Sequence, residues 1–272
     1  MIKRLVNHEA FDVITDDAAY WIGFIFSDGS VFHKKNGGLT IQLRLSEIDR
    51  GHVENFRQFL GSTHAIATSP PGNFGGYRSR ASVCFAVSSR RLAGRLLEMG
   101  RYEGPIAPEL AASRHFWRGV VDGDGSIFTL KTGYSGISLV GSQRLLDTFL
   151  EFLRERNLSG RMSVWPHKSI YELSTAGHLA ELIIDELYRN ATTALDRKAA
   201  AAAPIIESVR ARRIQVANDA DELRRRYEAG ATLVELGRHY GVSNVTILYR
   251  MRKAGIPRRS PWPVPKGLPK SA

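Results

Sequence analysis

Trp117-Arg118-Gly119-Val120-Val121-Asp122-Gly123-Asp124-Gly125-Ser126 decides how this chain is read, because it has a counterpart near the start, Trp21-Ile22-Gly23-Phe24-Ile25-Phe26-Ser27-Asp28-Gly29-Ser30. Each stretch opens on tryptophan, places glycine two positions later, runs through bulky apolar residues and closes on Asp-Gly-Ser. Asp28 and Asp124 lie 96 residues apart. That is the length of a small domain, so the chain reads as an internal duplication.

A bulky apolar run before glycine predicts a short buried helix that stops at Gly29 and at Gly125. Gly23 and Gly119 fall in mid-helix, where glycine costs about 1 kcal/mol relative to alanine. Glycine at such a position suits the close approach of a second backbone. The two helices are therefore expected to pack through Gly23 and Gly119 and to present Asp28 and Asp124 side by side. A carboxylate at a helix C-terminus opposes the helix dipole by about 0.3–1 kcal/mol, and a bound cation reverses that penalty. Paired carboxylates are common equipment for Mg²⁺-assisted phosphodiester cleavage.

The stretch Phe116–Ser126 closely resembles the motif of the LAGLIDADG homing endonucleases. The first copy is looser, with Phe26 where the family usually has an earlier acidic residue. The resemblance covers roughly residues 15–205. It implies an α+β fold of tandem αββαββα repeats with pseudo-two-fold symmetry, in a monomer that acts as a pseudo-dimer. It also implies that Asp28 and Asp124 hold a divalent cation, Mg²⁺ or Mn²⁺, each serving cleavage of one strand of double-stranded DNA. Two non-identical repeats imply a long asymmetric target. Similar Leu-Asp-Arg-Lys segments close the second unit in relatives, so Lys198 is the candidate basic helper. The bland alternative for Lys198 is an exposed helix cation.

The composition agrees with a polyanion partner: 38 Lys and Arg against 27 Asp and Glu leave a net +11, with a pI of about 10.0. No apolar run approaches the roughly 18 residues that span a bilayer. The N-terminus shows no hydrophobic signal core. A single cysteine, Cys84, excludes an internal disulfide, and no Cys/His group has zinc spacing. A cytoplasmic, bacterial or phage-encoded protein is expected. The chain ends lack the splice-junction residues of an intein.

Taken in order, residues 1–17 read as a lead-in, with Asp16 or Asp17 capping the first motif helix. A strand at 31–35, a Lys35-Asn36-Gly37-Gly38 turn and a strand at 39–45 follow. In the latter, Leu39, Ile41, Leu43 and Leu45 alternate with Thr40, Gln42 and Arg44, and Gln42 and Arg44 are candidate DNA contacts. A helix opens at Ser46 and ends near Gly61, with Phe56, Phe59 and Leu60 on one face. Next come strands at 63–68 and 77–87 around a flexible loop, Pro70–Gly76. Arg78 and Arg80 are expected to share the outer face of the second strand. Residues 88–99 read as a helix. The second unit repeats the order: a helix at 109–122, strands near 126–131 and 134–140, a helix with Phe149, Phe152 and Leu153, a hairpin at 161–174 and a helix at 178–188. Expected domains are 1–105 and 106–205 for the two repeats, then a connecting helix at 206–218.

Residues 219–272 read as a small all-α domain with a basic tail. From Ser208 onward lie 14 Lys and Arg against 5 Asp and Glu. Three short helices, at 221–228, 232–240 and 243–253, resemble the helix-turn-helix of resolvase-type DNA-binding domains. The third helix would enter the major groove, with Ser243, Asn244, Thr246, Tyr249 and Arg250 as candidate contacts. Arg258-Arg259-Ser260-Pro261-Trp262-Pro263 would be a basic arm along a groove. The leading reading is a metal-dependent DNA endonuclease. The alternatives are a DNA-binding transcription regulator on the same scaffold and an RNA maturase. The DNA-type tail disfavours RNA, whose major groove side chains cannot read.

Overall fold

Thr15, rather than Asp16 or Asp17, caps the first motif helix, accepting the Ala18 N–H at 3.1 Å. The two aspartates occupy the first turn instead, where negative charge suits the dipole. A computed structural model describes residues 4–34, 37–74, 77–100 and 102–259. Helix α1 (Asp16–Asp28) passes directly into β1 (Gly29–His33), followed by β2 (Leu39–Ser46), α2 (Arg50–Phe59), β3 (Ala67–Ser69), β4 (Gly72–Phe74), β5 (Tyr77–Ser79), β6 (Ser82–Ser88) and α3 (Arg90–Met99). The second half runs α4 (Pro108–Ala111), α5 (Arg114–Asp124), β7 (Gly125–Thr129), β8 (Ser135–Gly141), α6 (Gln143–Glu155), β9 (Trp165–His167), β10 (Ile170–Ala176) and α7 (His178–Tyr188). The sheets share one antiparallel order, β1-β2-β6-β3 and β7-β8-β10-β9, so the halves are the same fold written twice.

Each sheet buries one face under its own helices, because alternate residues of a strand point the same way. Ile41, Leu43, Val83, Phe85 and Val87 form the buried face of the first sheet, and Trp21 lies against Phe56 with ring centres 5.0 Å apart. Ile137, Leu139 and Leu173 do the same in the second, where Trp117 meets Phe149 at 4.9 Å. Cys84 is a buried free thiol in β6.

Between the halves, α1 and α5 pack backbone to backbone. A Cβ added at Gly23 would lie 2.1 Å from the Phe116 carbonyl oxygen, and one at Gly119 would lie 2.1 Å from that of Tyr20. In each case the partner is three residues before the facing glycine, which is the signature of a two-fold. One turn further on, Gly123 meets Ser27: a Cβ there would sit 2.2 Å from the serine Cβ. The Ser27 hydroxyl donates within its own helix to Gly23 O and across the pair to Val120 O, at 3.1 and 3.2 Å.

Besides the Thr15 cap, the structure differs from the sequence expectation in three local places. The helix expected at 109–122 is broken, because the Ser113 hydroxyl caps a new helix by accepting the Phe116 N–H. The expected loop Pro70–Gly76 carries the β4–β5 hairpin, whose tip, Gly75 and Gly76, lies outside the described residues, as do Lys35 and Asn36 of the earlier turn. The strand expected at 77–87 is interrupted after Ser79, so Arg78 and Arg80 do not share a strand face.

The contacts divide the chain into two units, Met1–Ser208 and Val209–Ala272. The expected linker at 206–218 is the C-terminal part of one longer helix, α8 (Asp196–Asn218). In the second unit, α9 (Ala220–Glu228), α10 (Leu233–Tyr240) and α11 (Asn244–Lys253) enclose Leu223, Tyr227, Leu236, Tyr240, Val242, Ile247 and Met251, with Val216 from α8. Thr232 and Glu235 form a reciprocal capping box at the start of α10. Gly241, at φ 62°, makes the left-handed turn into α11, which Ser243 caps.

The helix pair has no room for even one methyl group. Gly119→Ala is expected to lower the melting temperature by the equivalent of at least the usual overpacking cost, about 1–3 kcal/mol. An unchanged thermal unfolding midpoint would contradict the packing described.

Candidate active site at the helix pair

Asp28 and Asp124 are the last residues of α1 and α5, and each helix ends because the next residue turns into a strand. Gly29 and Gly125 have ordinary φ values of −91° and −93°, so neither is a left-handed cap. They are glycines for lack of space: a Cβ would lie 2.7 Å from Ile25 O and 2.7 Å from Val121 O, respectively. Each backbone N–H donates to that same carbonyl. The sharp turn leaves both carboxylates at the shared end of the helix pair, with Asp28 Oδ2 3.4 Å from where a Cβ on Gly123 would be.

Asp28 opens to solvent on its outer side. Desolvation by the helix pair behind it, and then the Asp124 carboxylate beside it, push its pKa up to about 6, while Lys198 and Arg197 pull the other way. Desolvation also raises Asp124, against the neighbouring Tyr102 hydroxyl and the charge of Lys198. The Tyr102 hydroxyl donates to Val140 O at 3.2 Å. Two carboxylates that are both held above their ordinary range by burial, one of them also by the other's charge, suit a divalent cation, whose hard oxygen preference and charge offset both effects. Among the described residues no group of three or more His, Cys, Asp or Glu gathers, so these two are the acidic donors the site offers.

Lys198 is not an exposed helix cation. It is 4% exposed, and its ammonium donates to Val121 O, Asp122 O and Gly125 O at 2.5, 2.6 and 2.8 Å. All three hydrogens thus cap the C-terminal carbonyls of α5, where a cation also complements the dipole. Burial brings its pKa down to about 8, and both Asp28 and Asp124 feel its charge.

Beneath the carboxylates lies a buried network for which the sequence reading assigned no role. Asp122 accepts from Tyr188 Oη at 2.6 Å, Tyr20 Oη at 2.7 Å and Leu195 N at 2.7 Å. His52 Nε2 sits 2.9 Å from the same Tyr20 oxygen. Since Tyr20 gives its proton to Asp122, His52 must donate through Nε2, in the neutral form that burial favours by pulling its pKa to about 4. Arg118, one turn before Asp122, donates to Thr193 O at 2.8 Å and Leu187 O at 3.1 Å. Thr192 and Thr193 hydroxyls reach Asp17 Oδ1 at 3.2 and 2.7 Å. Arg118, Asp122 and Lys198 together clip the segment from Leu187 to Lys198 onto α5. A buried Arg and Asp at i, i+4 in an apolar helix were the sequence signal for this network. Gly123, four residues after Gly119, was the signal for the second close contact of the helix pair.

The other candidates are spread out. Gln42 and Arg44 lie on the sheet face away from the core, with Gln42 Nε2 3.1 Å from Cys84 Sγ and Arg44 donating to Ser82 and Ser69 hydroxyls at 3.3 and 3.4 Å. The backbone of Arg78 lies in β5 opposite Asn73, and its side chain falls outside the described residues. Arg80 is exposed between β5 and β6. Along α11, Ser243 is spent as the cap, with Thr246 bonded to it at 3.0 Å and Asn244 half-buried. Arg250 is not on the outer face: its Nη2 points to Arg213 O at 3.5 Å. The outward positions are Val245, Tyr249, Arg252 and Lys253. Arg259 folds back over Tyr227, 4.1 Å from the ring centre, and the remainder of the expected basic arm, from Ser260, lies outside the described residues.

If Lys198 is a structural cap, Lys198→Met removes the ammonium donor from Asp122 O and Gly125 O and leaves Val121 O with the Gly125 N–H alone, and it is expected to destabilise the chain by about 1–3 kcal/mol. Urea unfolding measures this, and an unchanged midpoint would contradict the capping role.

No family model matches the sequence, and no curated protein matches it. Solved structures do match by shape. The homing endonuclease I-WcaI bound to its DNA recognition sequence aligns with a TM-score of 0.54 at 12% identity, over 70% of this chain and 90% of that one. A mesophilic variant of the homing endonuclease I-DmoI gives 0.49 at 18%, over 72% and 97%. Full-length DUF199/WhiA from Thermatoga maritima gives 0.43 at 14%, over 91% and 94%. Of these three, the first alone passes a TM-score of one half, and its likeness concerns the fold alone. With its duplicated sheets and glycine-paired motif helices, the chain has the fold of the LAGLIDADG homing endonucleases.

Proposed function

We propose that the chain is a divalent-metal-dependent DNA endonuclease that breaks both strands at a long asymmetric site. The observation that carries this reading is the placement of Asp28 and Asp124 together at the ends of the paired helices, in a fold whose solved example I-WcaI is bound to DNA. Asp28 and Asp124 would hold the cation, Mg²⁺ or Mn²⁺. When bound, it supplies Lewis acidity toward the scissile phosphate and an acidified water. The chain's own contribution is position. The helix pair fixes where the carboxylates stand, and Lys198 fixes the end of α5 and adds positive charge beside a phosphate.

Binding rests on the open sheet faces and on charge. Gln42 and Arg44 face outward from β2, whereas Ser138 and Val140 occupy the matching face of β8. Two halves with different side chains suit a site without two-fold symmetry. The second unit adds a helix-turn-helix reading domain, with Tyr249 and Arg252 on the outer side of α11. Among the described residues no helix is long and apolar enough to cross a membrane. A regulator that only binds DNA would use the sheet faces and α11, but would have no use for two like charges held together against their repulsion.

The direct test is the double variant Asp28→Asn, Asp124→Asn, assayed on cleavable DNA with Mg²⁺. It should fold with a melting temperature no lower than that of the unaltered chain and lose cleavage, as the unaltered chain should in EDTA. Undiminished cutting by the double variant would sink the enzyme reading. For the second unit, Tyr249→Ala with Arg252→Ala should weaken DNA binding and flatten the slope of log K against log salt by about 0.9 for each phosphate no longer neutralised. Unchanged affinity together with an unchanged slope would remove the second unit from the binding surface.

A further inference from the structure

We propose that the second unit reads thymine through an apolar contact, with Val245 and Tyr249 of α11 closing on the 5-methyl group of a thymine at one flank of the site; this rests on the reading of the second unit as a DNA-binding domain. Helical phase decides which side chains can do so. Ile247 and Met251 are buried in the core of the unit, so the opposite face of α11 is the stripe Val245, Tyr249 and Arg252, at i, i+4 and i+7. Val245 and Tyr249 are 50% and 53% exposed. The hydroxyls at the same end of the helix are used locally: Ser243 caps it, and Thr246 Oγ1 bonds to the Ser243 hydroxyl at 3.0 Å. The N-terminal part of a recognition helix is what meets base edges, and here the side chain it turns outward is a valine.

The stripe borders a groove whose second wall is held in place. Gly255, at φ 64°, turns the chain back at the end of α11. Ile256 N then donates to Met251 O at 2.9 Å, and Arg224 Nη2 donates to Ala254 O at 2.8 Å. Ile256, Pro257 and Arg258 thereby line the groove together with Val245, Leu248 and Tyr249. Its rim is cationic. Helix α11 carries Arg250, Arg252 and Lys253 and no acidic residue, and Lys253 Nζ lies 5.5 Å from the centre of the Tyr249 ring. Acidic side chains of the unit are engaged on other helices, Glu222 with Arg225 and Arg226 on α9 and Glu235 in the capping box of α10. An apolar stripe rimmed by positive charge suits a polyanionic duplex. In the major groove of that duplex, the apolar group on a base edge is the thymine 5-methyl. A valine gains from that methyl and has no hydrogen bond to exchange with the other edges.

The test uses the full chain in EDTA, so that binding is read without cutting. Its preferred site is selected from a randomised duplex library and remade with uracil for thymine, one position at a time. Uracil keeps every hydrogen-bonding group of thymine and lacks the methyl. At a thymine on one flank, uracil should weaken binding about fourfold, the equivalent of one methyl-sized group withdrawn from an apolar contact. In Val245→Ala, a truncation at an exposed helix position, thymine and uracil should bind nearly alike there, with any penalty elsewhere in the site unchanged. No thymine at which uracil weakens binding, or a penalty that persists in full in Val245→Ala, would overturn the proposal. If Tyr249→Ala with Arg252→Ala then also leaves affinity unchanged, the DNA-binding reading of the unit falls with it. If that variant binds more weakly, the unit binds DNA and the methyl contact alone is wrong.

Discussion

Contact between two helix backbones, made possible by Gly23 and Gly119, is the constraint on which the remaining structure depends. A carbonyl oxygen of one helix occupies the place where a side chain of the other would begin. Helices normally stand about 8–10 Å apart because side chains separate them. Here the separation is set by backbone atoms, so the two C-termini, and with them Asp28 and Asp124, must lie side by side. Each sheet follows from its helix with no linker, since β1 and β7 start at the residue after the aspartate. One packing contact therefore fixes the carboxylates and the sheet strands that begin beside them.

The duplicated halves have diverged at one matched pair of contacts. Tyr20 and Phe116 are equivalent residues, as are Phe26 and Asp122. In one half of the pair Tyr20 bonds Asp122 at 2.7 Å, and in the other Phe116 meets Phe26 edge-on at 5.5 Å. The aromatic contact needs nothing further. The buried carboxylate needs all its donors, because leaving such a group unpaired costs several kcal/mol. Those donors come from α1, from the end of α7 and from the start of the path into α8. Polar substitution in one half thus couples the segment carrying Lys198 to the helix pair.

Much of this was legible in the sequence, for identifiable reasons. The motif occurs twice with the same glycine spacing, and Ile41, Leu43 and Leu45 alternate as a half-buried strand must. The break at Ser113 was not legible, because the flanking residues suit a helix on either side and only the hydroxyl cap restarts it. The Gly-rich stretch after Pro71 reads as a loop although its backbone pairs as a hairpin. On α11, Thr246, Tyr249 and Arg250 stand out by residue type, but helical phase turns only Tyr249 of these outward, together with Arg252. Lys198 was visible as a basic residue, but its burial followed only from the carbonyls it caps.

The proposed role of the glycine-packed helix ends is that of a DNA-cutting centre. The most direct measurement is sequencing of the ends released from a randomised duplex DNA library incubated with the full chain, in Mg²⁺ and in EDTA. Ends enriched around one long sequence without two-fold symmetry are expected, in Mg²⁺ only. Release of no enriched ends in either Mg²⁺ or Mn²⁺, from a folded chain that still binds DNA, would contradict it.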